Sequence, residues 1–400
     1  MPAFACNRQT RMKTKIAMLM AAASCGWFTA VNSTSAQTWT QTSAPNDLWA
    51  SIASSADGTT LVAITMVNKI YVSTNSGTAW TQTSAPTNIW QSVALSADGT
   101  KLIAAAYDCP IFTSSDSGIT WATNSMPATN WYSVTCSADG TRLVANNGSS
   151  IYMSTNSGAT WFSNNVPSKY GTRFPILMAA NGTKLFAYSS YDGVIYSTTD
   201  WGITWVTNNT PFSGWSIFAS SANGTKLVAI ALGSPPYGAI YTSTNSGASW
   251  HLDNAMAKSW NSIVSSADGT RLVANNGSSI YMSTNSGATW ISNGVPKTGE
   301  GMNLIATSAD GNKLVLVADK GGGIWTCQLT LSPQLNLTPT GDNFVLSWVV
   351  PSTNFVLQHS SNLGSWTDVT NKPALNLTNL QNEVMLSPKG SSGFYRLKTP

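Results

Sequence analysis

The chain has 400 residues and a formal net charge of +4, but only 9% of its residues are charged. Four of its 20 basic residues precede residue 37, where no acidic residue occurs, so the rest carries 16 basic and 16 acidic residues and is neutral. A neutral chain without a basic run lacks the counterion release that drives nucleic-acid binding, so nucleic acid is excluded as an expected partner.

The N-terminal segment has the pattern of a secretory signal peptide. Met12–Lys15 is basic, Ile16–Ala23 is apolar, and Ser33–Ala36 offers small residues for cleavage before Gln37. Polar residues interrupt the apolar run before it reaches the roughly 20 residues that a membrane span requires. The sequence therefore predicts a signal peptide over residues 1–36, no membrane span, and a secreted or cell-surface protein.

The rest of the chain is built from an internal repeat. Ser137–Trp161 and Ser266–Trp290 are identical over 25 residues and are offset by 129 residues, which is three repeats of 43. Each repeat contains an Asp/Asn-Gly pair between apolar runs, which is a strong hairpin signal because both residues tolerate positive φ. Seven such turns occur, with their glycines at Gly58, Gly99, Gly140, Gly182, Gly224, Gly269 and Gly311.

A second turn in each repeat has the pattern Ser/Thr-x-Asp/Asn-x-Gly-x-x-Trp. Its short acidic or amide side chain can accept hydrogen bonds from backbone amides within the turn, and its glycine can adopt the left-handed conformation. These Asp/Asn residues are predicted to be structural. The pattern occurs six times, with this residue at Asn75, Asp116, Asn156, Asp200, Asn245 and Asn285.

This second turn resembles the Asp-box, or BNR repeat, of sialidases, sortilin-like receptors and photosystem-assembly propellers. The resemblance, together with four short strands per 41–45 residues, implies an all-β fold with a seven-bladed β-propeller over residues 37–330. Trp39–Pro45 nearly matches the fourth strand at Trp80–Pro86, so we expect the N-terminal strand to complete the last blade and close the ring. In Asp-box propellers the motif lies on the face away from the ligand.

Residues 331–400 lack the repeat. Alternating apolar and polar residues predict strands around Phe344–Trp348, Phe355–His359, Val384–Leu386 and Phe394–Leu397. The segment is long enough for a small β-sandwich. Its sequence resembles the fibronectin-III-like modules that end many secreted bacterial propellers.

The charged residues offer few candidates for catalysis. Resemblance to sialidases would imply three arginines on a substrate carboxylate, but the repeats contain only Arg142, Arg173 and Arg271, of which Arg173 alone departs from the repeat. A glycoside hydrolase would instead need two carboxylates across a cleft. The weak candidates in the expected ligand-face loops are Asp47, Asp108 and Asp319, with Asp192, Asp253 and Glu300 in related connections; the alternative is that these carboxylates are simply solvated.

Aromatic residues provide the other candidate site. A tryptophan stands nine residues before the turn glycine in five repeats: Trp49, Trp90, Trp131, Trp215 and Trp260. Arg173 takes this place in another repeat, and Tyr132 is next to Trp131. The indoles either pack between neighbouring blades or form a stacking surface for a ligand.

These patterns predict a binding protein without a cofactor. Cys109, Cys136 and Cys327 form no CxxC pair, so no cysteine metal site is expected. The best interpretation is a secreted, non-catalytic, monomeric propeller that binds a glycan or an extracellular protein on the face opposite the Asp-boxes. The alternatives are a glycoside hydrolase using loop carboxylates and an assembly or scaffold propeller that recognises a protein.

Overall fold

A computed structural model describes residues 38–66, 68–164, 166, 176–189, 193–208, 214–231, 238–253, 255, 257–296, 301–318, 322–329, 335–341, 343–349, 355–361, 363–387 and 393–398. By its contacts the chain divides into Met1–Ala36 and Gln37–Pro400. The first unit, with the predicted signal peptide, lies outside the described residues. In the described part, every named element is a β-strand, and no helix is long and apolar enough to cross a membrane.

The repeats form antiparallel sheets of four strands, beginning with β1 (Trp39–Gln41). The first sheet contains β2 (Trp49–Ser54), β3 (Leu61–Thr65), β4 (Ile70–Ser73) and β5 (Thr81–Gln82). The second contains β6 (Trp90–Leu95), β7 (Leu102–Ala106), β8 (Phe112–Ser114) and β9 (Ala122–Thr123). The third contains β10 (Ser133–Cys136), β11 (Leu143–Asn146), β12 (Ile151–Ser154) and β13 (Phe162–Asn164).

The following sheets repeat this arrangement. The fourth contains β14 (Leu177–Met178), β15 (Leu185–Ser189), β16 (Val194–Thr198) and β17 (Val206–Asn208). The fifth contains β18 (Trp215–Ser220), β19 (Leu227–Ala231), β20 (Ala239–Ser243) and β21 (His251–Leu252). The sixth contains β22 (Ser262–Ser265), β23 (Leu272–Asn275), β24 (Ser279–Ser283) and β25 (Ile291–Gly294).

The seventh sheet combines both ends of the repeat region. It contains β26 (Met302–Thr307), β27 (Lys313–Ala318), β28 (Ile324–Gln328) and β1, in that order across the sheet. Trp39 lies opposite Cys327 and Gln41 lies opposite Trp325 in an antiparallel register. This is the strand pairing that the sequence predicts, and it covers the edge that β28 would otherwise expose.

The Asp/Asn-Gly turns join the first and second strands of the seven sheets. In the first sheet, the Asp57 carboxylate accepts hydrogen bonds from the Ser55 hydroxyl at 2.6 Å and the Thr59 amide at 2.9 Å. Gly58 has a φ of +67°, and the six equivalent glycines also have positive φ. The predicted hairpins are therefore confirmed by the strand register and by the turn geometry.

A circuit of backbone hydrogen bonds links the seven turns. The alanine two residues before each turn glycine donates its N–H to the carbonyl of the equivalent alanine in the next sheet, and Ala309 donates back to Ala56 at 2.8 Å. The first strands of successive sheets also contact one another in the same cyclic order. This alanine ring consists of Ala56, Ala97, Ala138, Ala180, Ala222, Ala267 and Ala309.

The apolar core lies between successive sheets. One cluster joins Val62 and Ile64 of β3 to Trp90 and Val93 of β6, and comparable clusters join the other neighbouring sheets. The second strands contribute most, because both of their faces are covered. β3 and β7 are buried at every position.

Residues after 335 form two further sheets. The first has the order β29 (Asn336–Thr340), β30 (Asn343–Val349), β34 (Gln381–Leu386) and β33 (Ala374–Asn376). The second has the order β32 (Thr367–Asp368), β31 (Val356–Ser360) and β35 (Phe394–Lys398). Both sheets contribute side chains to one core around Trp348 and Leu357. Val349 and Leu380 also pack against the alanine ring.

Candidate functional site

The two ends of each sheet have different roles. β2 begins at Trp49, opposite Thr65 at the end of β3, and it ends at Ser54 beside the Asp-Gly turn. The connections that precede each first strand and those that follow each second strand therefore meet at one end, which we call the loop face. The Asp/Asn-Gly turns and the Asp-boxes lie at the other end, the turn face, because β4 ends at Ser73 opposite Leu61.

The five predicted tryptophans are buried where the first strands begin. Trp90, Trp131 and Trp215 are each 1% exposed, Trp260 is 4% exposed and Trp49 is 6% exposed. An indole that exposes so little of its surface presents no ring face on which a sugar or a peptide could stack. The interpretation of these residues as an exposed stacking ring is therefore wrong, and packing between sheets, the alternative, is what the structure contains.

Aromatic neighbours account for this burial. Trp90 packs edge-on against Phe112, with ring centroids 5.3 Å apart, and Trp131 packs in the same way against Tyr152 at 5.3 Å. The Trp131 indole N–H donates to the Cys109 carbonyl at 2.8 Å. These contacts join the start of a first strand to the third strand of the same sheet and to loops of the previous sheet.

The candidate carboxylates do not form a pair in the described structure. Asp47 is half-buried, and its side chain accepts the amide hydrogen of Leu48 at 2.8 Å, which caps the entry to β2. Asp108 is exposed on the loop after β7 and has a φ of +50°. Asp319, Asp192, Glu300 and Arg173 lie outside the described residues. Asp47 and Asp108 thus lie on the loop face, as expected. Both have the surroundings of solvated loop carboxylates.

Asp253 lies in the connection after β21, as the sequence predicts, but it is not a solvated carboxylate. It is buried, because it follows β21 in the register of that sheet and packs over Gly287 in the Asp-box of the next sheet. The Thr242 hydroxyl donates to one carboxylate oxygen at 2.7 Å, while the other is buried without a hydrogen bond from the described residues. Desolvation raises the pKa of Asp253 to about 7, which the Thr242 hydroxyl and the nearby Trp290 indole oppose only in part.

The Asp-box residues have structural contacts. The side chain of Asn75 accepts hydrogen bonds from the Ser73 hydroxyl at 2.9 Å and the Ala79 amide at 2.8 Å, and the Ser73 hydroxyl accepts from the Gly77 amide. In Asp116 the carboxylate also accepts from the Thr120 hydroxyl, which is the main reason that its pKa is lowered to about 2. The backbone amide four residues later also donates to the side chains of the other Asp-box residues, Asn156, Asp200, Asn245 and Asn285.

The loop face carries exposed apolar side chains that sequence reasoning missed in part. We call this set the apolar patch; its members expose 44–58% of their surface and are Leu48, Met66, Ile89, Tyr107 and Tyr132. They come from three successive sheets. The signal in the sequence was that each one precedes or follows an inner strand at the end opposite the turn, where a solvated loop would usually hold a polar residue.

Backbone hydrogen bonds pair the patch residues that belong to the same sheet. The Met66 amide donates to the Leu48 carbonyl at 2.6 Å, and the Tyr107 amide donates to the Ile89 carbonyl at 2.8 Å. Cys109, two residues after Tyr107, pairs with Thr129 of the next repeat and approaches the Asn88 side chain with its thiol. The loop that bears Tyr107 is therefore fixed between the entry to β6 and the entry to β10.

The described residues contain no group of three or more His, Cys, Asp and Glu side chains that could hold a metal ion. Their cysteines are unpaired: Cys109 and Cys136 are half-buried and Cys327 is buried. Arg142 and Arg271 lie on the turn face, where their guanidinium groups donate to the Gly182 carbonyl at 3.0 Å and the Asp310 carbonyl at 2.6 Å in the next sheet. Their positions therefore correspond to contacts between sheets.

No family model and no curated protein matches the sequence. Solved structures do match. They include YCF48 bound to a D1 peptide (16% identity, TM-score 0.57, covering 74% of this chain and 97% of that chain), the β-propeller domain of Cps50 (Swd1) from Myceliophteria thermophila (14%, 0.59, 73% and 100%), and the GH74 xyloglucanase from Xanthomonas campestris (14%, 0.59, 78% and 59%). At these identities the likeness shows the fold alone: the chain has an all-β fold with a β-propeller.

Proposed function

We propose that this chain is a non-catalytic propeller that binds a protein partner through an extended segment lying on the apolar patch of the loop face. The observation that carries the proposal is the patch itself. In a chain with 9% charged residues, five large apolar or aromatic side chains are exposed at adjacent loop positions of three sheets. Grouped exposed apolar surface on a folded protein is typical of an interaction site.

A protein segment fits this surface better than a glycan does. Sugars are commonly held by stacking on indole rings, and the five candidate indoles are buried. The patch offers aliphatic side chains and two phenol rings instead, which suit apolar side chains of a peptide. The exposed Asp108 and the half-buried Asp47 are at its edge, so we expect the partner segment to carry a Lys or Arg. YCF48, whose structure is similar to that of this chain, is bound to a D1 peptide.

The proposal includes the finer architecture. We infer that the seven sheets are the blades of an Asp-box propeller over residues 37–330, closed by β1 within the last blade, because the hydrogen-bond circuit of the alanine ring returns to its first member. We assign residues 331–400 to a fibronectin-III-like β-sandwich, since both of its sheets share one core. We also propose export through residues 1–36, a secreted or cell-surface location, and a monomer.

The second candidate function is glycoside hydrolysis by Asp47 and Asp108. It is favoured only by the position of both residues on the loop face, and each has the surroundings of a solvated carboxylate. A retaining or inverting hydrolase needs two carboxyl groups that face each other across the scissile bond, and these two do not form a pair in the described structure. We therefore expect no reducing sugar to be released from sialosides, β-glucans or xyloglucan. Turnover that Asp47→Asn or Asp108→Asn abolishes would make the hydrolase the correct function.

The binding test uses a phage-displayed library of random dodecapeptides and a panel of soluble polysaccharides as probes. Selected peptides should be apolar with a basic residue, and Tyr107→Ala or Ile89→Ala should weaken their binding about tenfold or more, as for a central interface residue. The controls are Ile119→Ala and Ile203→Ala, whose side chains are more exposed than those of Tyr107 and Ile89 but lie in Asp-boxes on the turn face. These controls should change the affinity less than about twofold.

Two results would contradict the proposal. Polysaccharides could bind while peptides do not, which would make the protein a glycan-binding propeller. Alternatively, the selected peptides could lose affinity in the Ile119 and Ile203 variants and keep it in the Tyr107 and Ile89 variants, which would place the binding surface on the turn face.

A further inference from the structure

The first strands of the seven sheets surround a central channel with a cavity of about 390 Å³. This volume lies within the range of small-molecule sites, roughly 300–1,000 Å³. Among the described residues that line it there is no charged side chain. The channel is therefore large enough for a small organic molecule and offers no counterion to a charged one.

The wall of the channel has two different halves. The last residue of each first strand faces the cavity, at the position before the residue that starts the Asp/Asn-Gly turn. On the second to fourth sheets this position holds Leu95, Cys136 and Met178. On the fifth to seventh and first sheets it holds Ser220, Ser265, Thr307 and Ser54. At this level one half of the wall is thus apolar and the other half carries four hydroxyl groups. Two residues earlier in the strands of the hydroxyl half, the wall is also lined by Ile52, Phe218, Ile263 and Ile305.

Three of the four hydroxyl groups donate their hydrogen to a backbone carbonyl. The Ser54 hydroxyl donates to the Ser55 carbonyl at 3.0 Å, the Ser265 hydroxyl donates to the Ser266 carbonyl at 3.0 Å, and the Thr307 hydroxyl donates to the Ser308 carbonyl at 3.3 Å. A hydroxyl that has used its hydrogen still has oxygen lone pairs available. This half of the channel is therefore suited to a ligand that donates hydrogen bonds.

The C-terminal part of the chain reaches the turn-face end of the channel. The alanine ring lies at this end, and the Leu380 side chain packs on the ring and also lines the cavity. Leu380 precedes β34 and has a φ of +54°, a conformation that leucine rarely adopts.

We propose that the channel is a binding site for a small uncharged molecule with an apolar side and hydrogen-bond donors on the opposite side. Leu380 forms its floor. The apolar half formed by Leu95, Cys136 and Met178 contacts the hydrocarbon part of the ligand, and the hydroxyl half orients its donors. This site is separate from the apolar patch and does not depend on the proposed protein partner.

The test uses N-phenyl-1-naphthylamine, an uncharged aromatic amine with one N–H whose emission rises in apolar surroundings. We expect saturable binding of one molecule per chain. Ser265→Trp, which fills the channel from the hydroxyl half, should abolish it. Ser265→Ala keeps the space but removes one acceptor, and should weaken binding about fivefold, as for a neutral hydrogen bond.

The floor is tested by a matched pair of leucines. Leu363 also has a positive φ, +64°, but its side chain is 56% exposed and it does not line the cavity. Glycine at either position relieves the same backbone strain. Leu380→Gly should weaken probe binding about tenfold, because it removes the floor, whereas Leu363→Gly and the patch variant Tyr107→Ala should bind the probe as the unchanged protein does.

A second measurement covers the case in which Ser265→Trp does not fold. Cys136 lines the channel and Cys109 lies outside it, so the bound probe should slow alkylation by N-ethylmaleimide at Cys136 and not at Cys109, as read by peptide mass spectrometry. Binding that persists in folded Ser265→Trp, or Cys136 that is alkylated equally fast with and without the probe, would overturn the proposal.

Discussion

The two identical segments, Ser137–Trp161 and Ser266–Trp290, show what a sequence fixes locally and what its neighbours change. Within each copy the hydrogen bonds of the Asp-box Asn side chain are the same. The Asp-box amide of Asn156 donates to the Thr160 hydroxyl at 2.9 Å, and the equivalent bond from Asn285 to Thr289 has the same length. Identical residues at short range thus form identical turns.

The copies differ where another part of the chain packs on them. Asn124 packs over Gly158 of the first copy, with its amide donating to the Thr113 hydroxyl at 3.2 Å. Asp253 takes the equivalent place over Gly287 of the second copy. The Trp161 indole donates to the Gly158 carbonyl at 3.0 Å, whereas the Trp290 indole nitrogen is buried beside Asp253 but outside hydrogen-bond geometry. One substituted neighbour therefore changes the electrostatics of an unchanged segment.

The largest expected effect concerns the tryptophans that precede the two copies. Trp131 and Trp260 pack edge-on against the copies' own Tyr152 and Tyr281, at 5.3 and 5.2 Å. Because these environments match, Trp131→Ala and Trp260→Ala should each cost about 3–5 kcal/mol of unfolding free energy. Tyr132→Ala, on the exposed neighbour, should cost less than about 0.5 kcal/mol. Chemical denaturation measures the free energy of unfolding of all three variants. A small loss for Trp131→Ala would mean that Trp131 is exposed and can contact a ligand.

The next effect is the pH dependence caused by Asp253. Its folded-state pKa of about 7 lies above the ordinary value of 3.8, so the folded state retains the proton that the unfolded state releases, and stability falls as pH rises from about 4 to 7. Asp253→Asn, which introduces the residue found at position 124, should stabilise the protein at pH 8 by about 1–4 kcal/mol and change little at pH 4.

The reciprocal variant sharpens this test. Asn124→Asp should place a buried carboxylate over the first copy and create the same loss of stability between pH 4 and 8. No charged group among the described residues contributes to the pKa of Asp253, so the effect should depend little on salt. If the melting temperatures of the unchanged protein and of Asp253→Asn change equally across this pH range, the Asp253 carboxylate is solvated and the expectation is wrong.

The smallest effect concerns the arginine in each copy. Arg142 stacks over Trp201 at 4.8 Å, while Arg271 donates to the Asp310 carbonyl and the Asn312 side chain, both at 2.6 Å. Burial also lowers the pKa of Arg271. We expect Arg142→Met to cost about 0.5–1 kcal/mol and Arg271→Met about 1–3 kcal/mol, because the latter leaves buried acceptors unpaired. Equal costs in thermal melts would mean that the arginine environments do not differ in energy.

Sequence reasoning was most successful where a contact follows from turn chemistry or from similarity between repeats. The turn glycines, the Asp-box hydrogen bonds and the pairing of Trp39 with the strand around Cys327 were predicted on these grounds. It was least successful at burial. Asp253 lies in the connection after β21, as predicted, but its burial against the Asp-box of the next sheet was not predicted.

What the sequence by itself determined is the repeating unit: four strands, two kinds of turn and the order in which they follow. Only the tertiary structure decided that the indoles such as Trp131 are buried, that Asp253 is desolvated and that Leu380 packs against the alanine ring. Periodicity records which residues are alike and turn chemistry acts within a few residues. Burial and pKa depend instead on what the rest of the chain places against them, and that is set only when the sheets pack.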